Sequence, residues 1–293
     1  MSITALLDRV KLKRFLPSKK RRPGYIVIPM AILALFLFVG AFGPMLAPHS
    51  PTDMKLSIKY DAGFWDGNWS YPLGTDQMGR DVLSRIIVGA RTTLTFCLLA
   101  IAFAGTVGTL LGLIAGYFGS WVDMMIMRIV DLAMSVPFIL LAMVLTIALG
   151  QSFMNLVIVI SLLLWAGYAR QVRAETLSIK ERDFVAFAKV SGVSSPRIVA
   201  THVFPNLLHV VVVLATLQVG YVILMEAALS YLGVGIPPPE PVWGTMVADG
   251  KNVLNTAWWV SAFPGIAIGA VVLSLNLFGD WLRDKLDPRL RQV

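Results

Sequence analysis

Long apolar runs alternate with shorter polar breaks along this chain. A run of about 20 mostly apolar residues is enough to cross a hydrocarbon core. Six such runs are predicted as membrane helices: 24–46, 92–117, 124–149, 152–169, 207–232 and 258–278. The two longest polar breaks are 47–91 and 170–205. A basic segment, 1–23, precedes the first run, but that run is longer than a signal-peptide core and has no clean small-residue cleavage site after it. It reads as an uncleaved first helix.

Composition fits this pattern. The chain has 293 residues, of which 57% are hydrophobic and 14% charged; a soluble domain carries about 25% charged residues. The net charge of +8 is placed as in a membrane protein rather than a nucleic-acid binder, because eight Lys/Arg fall in residues 9–22, just before the first span. With the N-terminus inside, the cytoplasmic pieces hold eighteen Lys/Arg and the outer pieces six. Both termini are therefore predicted to be cytoplasmic. The resulting organisation is a basic N-terminus (1–23), a first helix (24–46), an extracytoplasmic segment (47–91), a five-helix core (92–279) containing the loop 170–205, and a cytoplasmic tail (280–293). Cys97 lies within an apolar run and reads as a small buried hydrophobe. No protein-bound metal is expected.

The loop 170–205 carries its own helix pattern. Ser178 and Glu181 have capping-box spacing, and Asp183 places a negative charge in a first turn. Phe184, Phe187, Ala188 and Ser191 follow at i, i+3, i+4 and i+7. Gly192 is positioned to end the helix, Ser195 to cap a second one, and Pro196 to occupy its first turn. Ala186 and Ala188 are small enough for another backbone to come close. Either lipid headgroups or a protein groove would suit such a short amphipathic helix.

Several residues within the spans also carry information. Arg128 and Asp131, at i, i+3, are expected to pair on one face. Glu226 lies deep in the fifth span without a partner nearby in sequence, which marks it as a candidate for the solute path or for contact with a partner permease. Gly108, Gly112 and Gly116, and again Gly265 and Gly269, have the four-residue repeat of closely packed membrane helices. Pro137 and Pro264 are expected to kink or loosen their helices. The stretch 74–91 is expected to form a helix at the outer surface, and Pro237-Pro238-Pro239 with Trp243 a stiff outer loop. No catalytic constellation is visible: the three histidines are scattered, and the Gly244–Lys251 run has five residues between its glycines and Asn252 where a phosphate loop needs Ser or Thr.

The run Ala186-Phe187-Ala188, then Gly192, then His202-Val203-Phe204-Pro205 resembles the "EAA" loop of binding-protein-dependent ABC importer permeases. It departs from that consensus at Ala186, Phe187, His202 and Phe204 and keeps the glycine and the proline. Three further stretches are similar to the second permease subunit of the dipeptide, oligopeptide and nickel family: Leu73–Arg85 with Gly89–Arg91, Ala228–Gly235 running on to Pro241–Thr245, and Asn276–Leu290. The resemblance implies an all-α integral membrane protein of the type I importer permease fold with a cytoplasmic coupling helix. It implies a bacterial inner-membrane location and import of di- or oligopeptides, with nickel or another small solute as an alternative; a secondary transporter is the alternative outside the resemblance, and it would want ionisable relays along several spans and no docking loop. It also implies a homologous second permease subunit, two cytoplasmic ATPases that bind ATP and magnesium, and an external solute-binding protein. The ATPase-contacting positions would be Asp183, Phe184, Ala186, Phe187, Ala188, Gly192 and Pro205. This chain itself would hold no cofactor and catalyse no reaction, and would have lipid but not nucleic acid as a partner.

Overall fold

A computed structural model describes residues 26–286. The basic segment 1–23 and the end of the tail lie outside the described residues. The described chain is helical: α1 (Val27–Leu46), α2 (Val82–Phe118), α3 (Ser120–Ser135), α4 (Phe138–Leu149), α5 (Phe153–Lys180), α6 (Asp183–Val190), α7 (Ser195–Ile198), α8 (Phe204–Tyr231), α9 (Trp243–Gly250) and α10 (Trp259–Leu286). A π-helical turn, Val199–Val203, joins α7 to α8 without a break. Five helical stretches are long and apolar enough to span a membrane, and α3 with α4 make a sixth crossing bent by 87°.

The bend sits where the sequence places Pro137. That residue cannot donate to the helical ladder and pushes Val136 into an extended conformation, with ψ of 135°. Pro264, by contrast, lies inside α10, which continues through it.

Several boundaries differ from the sequence expectation. The stretch 74–91 is not a separate surface helix. Residues 74–81 form a loop, and α2 begins at Val82, where the Asp81 carboxylate accepts from the Leu83 and Ser84 amides. α2 has 37 residues, which at 1.5 Å per residue gives about 55 Å. α5 likewise runs on past 169 to Lys180, so Ser178 lies inside a helix and the predicted capping box does not form. Helical geometry tolerates polar residues once a helix leaves the lipid, so hydropathy marks where the membrane ends rather than where the helix does.

The closest packing in the bundle is between α2 and α5. A β-carbon on Gly108 would lie 2.5 Å from the Trp165 carbonyl oxygen, one on Gly112 2.5 Å from that of Ala169, and one on Gly116 2.6 Å from Thr176 Cβ. The repeat of three glycines is thus a seam against which α5 lies backbone to backbone. Gly265 and Gly269 differ: a β-carbon there would meet nothing within 4 Å, so the chain itself does not use them for close packing. Around the seam, Phe96, Leu156, Ile160, Tyr168, Ile223 and Leu229 are fully buried, and Cys97 is a buried free thiol. Large apolar side chains such as Leu98, Leu140, Val144 and Ile147 point outward, as suits a lipid-facing surface.

The seam predicts an asymmetry between glycines. Gly112→Val should lower the stability of the detergent-solubilised protein by about 1–3 kcal/mol, the usual cost of overpacking, whereas Gly265→Ala should leave it within about 0.5 kcal/mol, as for substitutions away from packed features. Thermal unfolding in detergent micelles reads both.

Candidate functional site

At the cytoplasmic end the chain leaves α5, turns through Glu181 and Arg182, and forms the eight-residue helix α6. Its N-cap is Arg182, with no side-chain hydrogen bond. Its C-terminus is closed by a Schellman motif: Val193 N–H donates to the Ala188 carbonyl and Gly192 N–H to that of Lys189, both at 3.1 Å. Gly192 has φ of +74°, a conformation that an L side chain adopts only under strain. Pro196 lies in the first turn of α7, but the N-cap is Ser194 rather than the expected Ser195, and its hydroxyl makes no capping bond.

The two sides of α6 have different roles. Val185 and Ala188 are buried in a small core with Leu113 and Tyr117 of α2, Val172 and Ile179 of α5, and Ile198, Val203 and Leu207 at the start of the next span. The other side presents Phe187, 72% exposed, and Val190, 88% exposed, with Phe184 at their edge at 37%. The expected apolar face is therefore divided: Ala188 packs inward, while Phe184, Phe187 and the unanticipated Val190 face out. Asp183, Ala186, Ser191, Gly192 and Pro205 are also exposed. Pro205 opens α8.

Polar contacts tie together the helices around α6, and one reaches α6 itself. Arg173 grips Asp123 of α3 with two hydrogen bonds, Nε to Oδ1 at 2.8 Å and Nη2 to Oδ2 at 2.5 Å. Arg170 Nη2 donates to Asp131 Oδ1 at 2.6 Å. The expected Arg128–Asp131 pair is thus replaced by a pairing between helices. Lys180 Nζ donates to the Gly116 and Tyr117 carbonyls at 3.2 and 3.4 Å, satisfying the C-terminal end of α2. Lys189 of α6 lies 5.8 Å from the Tyr117 ring centroid. These partners are 39 to 72 positions apart in sequence, so spacing rules could not pair them.

Glu226 is enclosed within the subunit. It is 1% exposed, and Ser230 Oγ, one turn later, donates to its Oε1 at 2.5 Å. Ser230 in turn packs against Gly235 and Gly244. In this arrangement the carboxyl group is buried inside the subunit and hydrogen-bonded within α8, beside the contact that Ser230 makes with α9.

The outer ends of α2, α9 and α10 carry a folded cap. Arg80 Nε donates to Asp76 Oδ2 at 2.7 Å, Arg80 also approaches Asp249 of α9 at 3.6 Å, and Arg85 Nε approaches Asp76 at 3.6 Å. Trp259 Nε1 donates to the Thr75 carbonyl and Trp243 Nε1 to that of Ile86. The charged motif of residues 73–85 therefore ties the cap to two other helices. Trp65 lies tilted against Trp258, Trp259 and Phe263 at 5.2–5.8 Å between centroids, an aromatic cluster of the kind found at membrane interfaces.

Comparisons with known proteins agree with this geometry. Residues 108–292 match the family model described as binding-protein-dependent transport system inner membrane component. The chain is 38% identical over 265 residues to a dipeptide transport system permease protein of Alkalihalophilus pseudofirmus, covering 90% of this chain and 86% of that one. It is 37% identical over 284 residues to a di/tripeptide transport system permease protein of Pseudomonas aeruginosa, covering 96% and 93%. It is also 37% identical over 266 residues to a probable D,D-dipeptide transport system permease protein of Escherichia coli, covering 90% and 87%. Among solved structures, inward-facing conformations of the MetNI methionine ABC transporter share the fold, with a TM-score of 0.58 at 18% identity over 69% of this chain and 96% of that one.

The two interhelical ion pairs should differ in weight. The Arg173 side chain is 33% exposed and that of Asp123 17%, against 47% and 60% for Arg170 and Asp131. Arg173→Leu should cost about 1–2 kcal/mol in detergent thermal unfolding, with partial recovery in the Asp123→Arg/Arg173→Asp swap, and Arg170→Leu less than about 0.5 kcal/mol.

Proposed function

Because the chain belongs to the family of binding-protein-dependent transport system inner membrane components, we propose that it forms one half of a permease that carries short peptides across the bacterial inner membrane. The chain is an inner-membrane permease of an ATP-driven importer that works with an external binding protein. Peptides as its solute are supported by one observation above all: relatives named for dipeptides and tripeptides match it at 37–38% identity over at least 90% of its length. A homologous second permease subunit would complete the path, and two cytoplasmic ATPases would supply the work from ATP and magnesium.

On this reading α6 is the coupling helix, with Phe187 and Val190 as its anchors and Phe184 at the rim. A helix of eight residues is too short to be stable alone; burial of Val185 and Ala188 and the closed C-terminus hold it. Its exposed apolar side chains gain about 1.5–3 kcal/mol each when fully covered, which suits a groove on a soluble partner. Asp183, Ala186 and Ser191 would lie along the contact, and Gly192 and Pro205 would fix how the chain departs from it. Since α6 shares a core with α2, α5 and the start of α8, a push on it moves those helices with it. Alternating access then follows from rigid-body motion of the bundle against the second subunit.

Phe187→Asp and Val190→Asp should leave the purified subunit folded, because both side chains face solvent, yet lower recovery of ATPase subunits in co-purification and cut dipeptide uptake by at least about tenfold, the equivalent of 1.4 kcal/mol. Gly192→Val should act in the same direction through the strain of its backbone, about 1–2 kcal/mol. Normal ATPase recovery and uptake in the two aspartate variants would remove α6 as the contact.

A further inference from the structure

Opposite faces of α8 line two unlike grooves. On one side, α1, α2, α8 and α10 flank an open groove of about 630 Å³ lined by Leu33, Phe36, Leu98, Val212, Ala215 and Val219 among others. Its hydroxyl, that of Thr216, donates to Val212 O of its own helix. This groove suits acyl chains. On the other side are two cavities of about 550 and 490 Å³ that share Gln218, the residue at the middle of α8. The first opens at the cytoplasmic ends of α5 and α10 and carries Gln171, Glu175, His209 and Arg283. The second lies against the α3–α4 break and adds Tyr221.

Three observations set the second side apart. Polar and ionisable side chains within spans are costly unless they face a protein interior or water, and here His209, Gln218 and Tyr221 of α8 share their side with Gln171 and Glu175 of α5 and Arg283 of α10. Next, the break at Val136–Pro137 leaves backbone groups of α3's last turn outside the helical ladder. In lipid such groups are tolerated only against protein or a water-filled cavity, and the cavity that adjoins them is the one holding Gln218 and Tyr221. Finally, the groups offered are neutral donors and acceptors at mid-depth, with charge confined to the cytoplasmic mouth. That lining matches the amide groups of a peptide better than it matches a bare cation or an apolar solute.

We propose that this groove, from Glu175 and His209 past Gln218 to the α3–α4 break, is the chain's share of the solute path, and that Gln218 with Tyr221 forms its mid-membrane hydrogen-bonding station for the peptide main chain. The proposal rests on the importer reading above and deepens it. It replaces the enclosed Glu226 with an accessible amide and phenol as the groups that meet solute.

The buried native thiol, Cys97, gives a quiet background for a labelling test in the fully assembled transporter. Gln218→Cys and Tyr221→Cys are compared with Val212→Cys and Ala215→Cys on the apolar side, in inside-out membrane vesicles treated with a negatively charged methanethiosulfonate. Label is read on this chain by mass spectrometry, and dialanine uptake is measured afterwards in proteoliposomes. The groove positions should react at least about tenfold faster than the apolar ones, because apolar burial suppresses the reactive thiolate, and their modification should abolish uptake. If Gln218→Cys does not assemble, Tyr221→Cys reads the same station. Protection of both positions in the assembled transporter would overturn the proposal, as a second subunit or lipid would then fill the groove; so would labelling that leaves uptake unchanged. Failure of the unmodified transporter to import dialanine would instead overturn the peptide reading, and the labelling pattern would still report whether the groove is wet.

Discussion

The fold depends on the backbone contact between α2 and α5. Lipid gives helices no hydrophobic reason to associate, so van der Waals contact must do it. Gly108, Gly112 and Gly116 supply that contact by letting α5 approach to distances no side chain would permit. Once the two helices are locked, their cytoplasmic ends come together, and Tyr117, Val172 and Ile179 form the floor on which α6 rests. The same closeness brings Lys180 to the last carbonyls of α2.

Rigidity at the cytoplasmic end has a functional consequence. The Schellman closure and the shared core leave α6 little freedom to move alone, and the Arg173–Asp123 grip braces α5, on which it rests, against α3. A flexible contact would absorb displacement; docked as proposed, this one would pass it on to α2, α5 and α8. The exposed part of α6 is correspondingly small, so its energy is concentrated in a few apolar side chains, as is common where one short element docks into a groove.

Most spans were legible in the sequence because their apolar runs are long and their glycine repeat is regular. Gly192 as a helix stop and Pro137 as a break were legible for the same reason: each acts through its own backbone. What the sequence hid depends on tertiary pairing. Asp131 binds Arg170 rather than Arg128 because α5 packs beside α3 there, with Val130 against Ala166 and Ala169, which hydropathy does not register. Val190 was overlooked because the expected face ran from Phe187 through Ala188 to Ser191, whereas the exposed side continues the three-residue spacing of Phe184 and Phe187. Glu226 drew attention as an isolated charge, yet its partner, Ser230, lies one turn along the same helix. The polar side of α8 went unseen because Gln218 and Tyr221 each look ordinary and acquire meaning only beside the α3–α4 break.

The length of α2 links the two sides of the membrane. At about 55 Å it exceeds the hydrocarbon thickness of about 30 Å, so it reaches from the Asp76–Arg80–Asp249 cap, which its Arg85 meets, to α6, on which its last turn bears. A rod of that length acts as a lever: a tilt of about 10° moves one end roughly 10 Å relative to the other. Whatever the outer cap touches is then mechanically in register with whatever α6 touches. Because linkage is reciprocal, a protein that favours one tilt from outside changes, by the same factor, how tightly the inner contact is held.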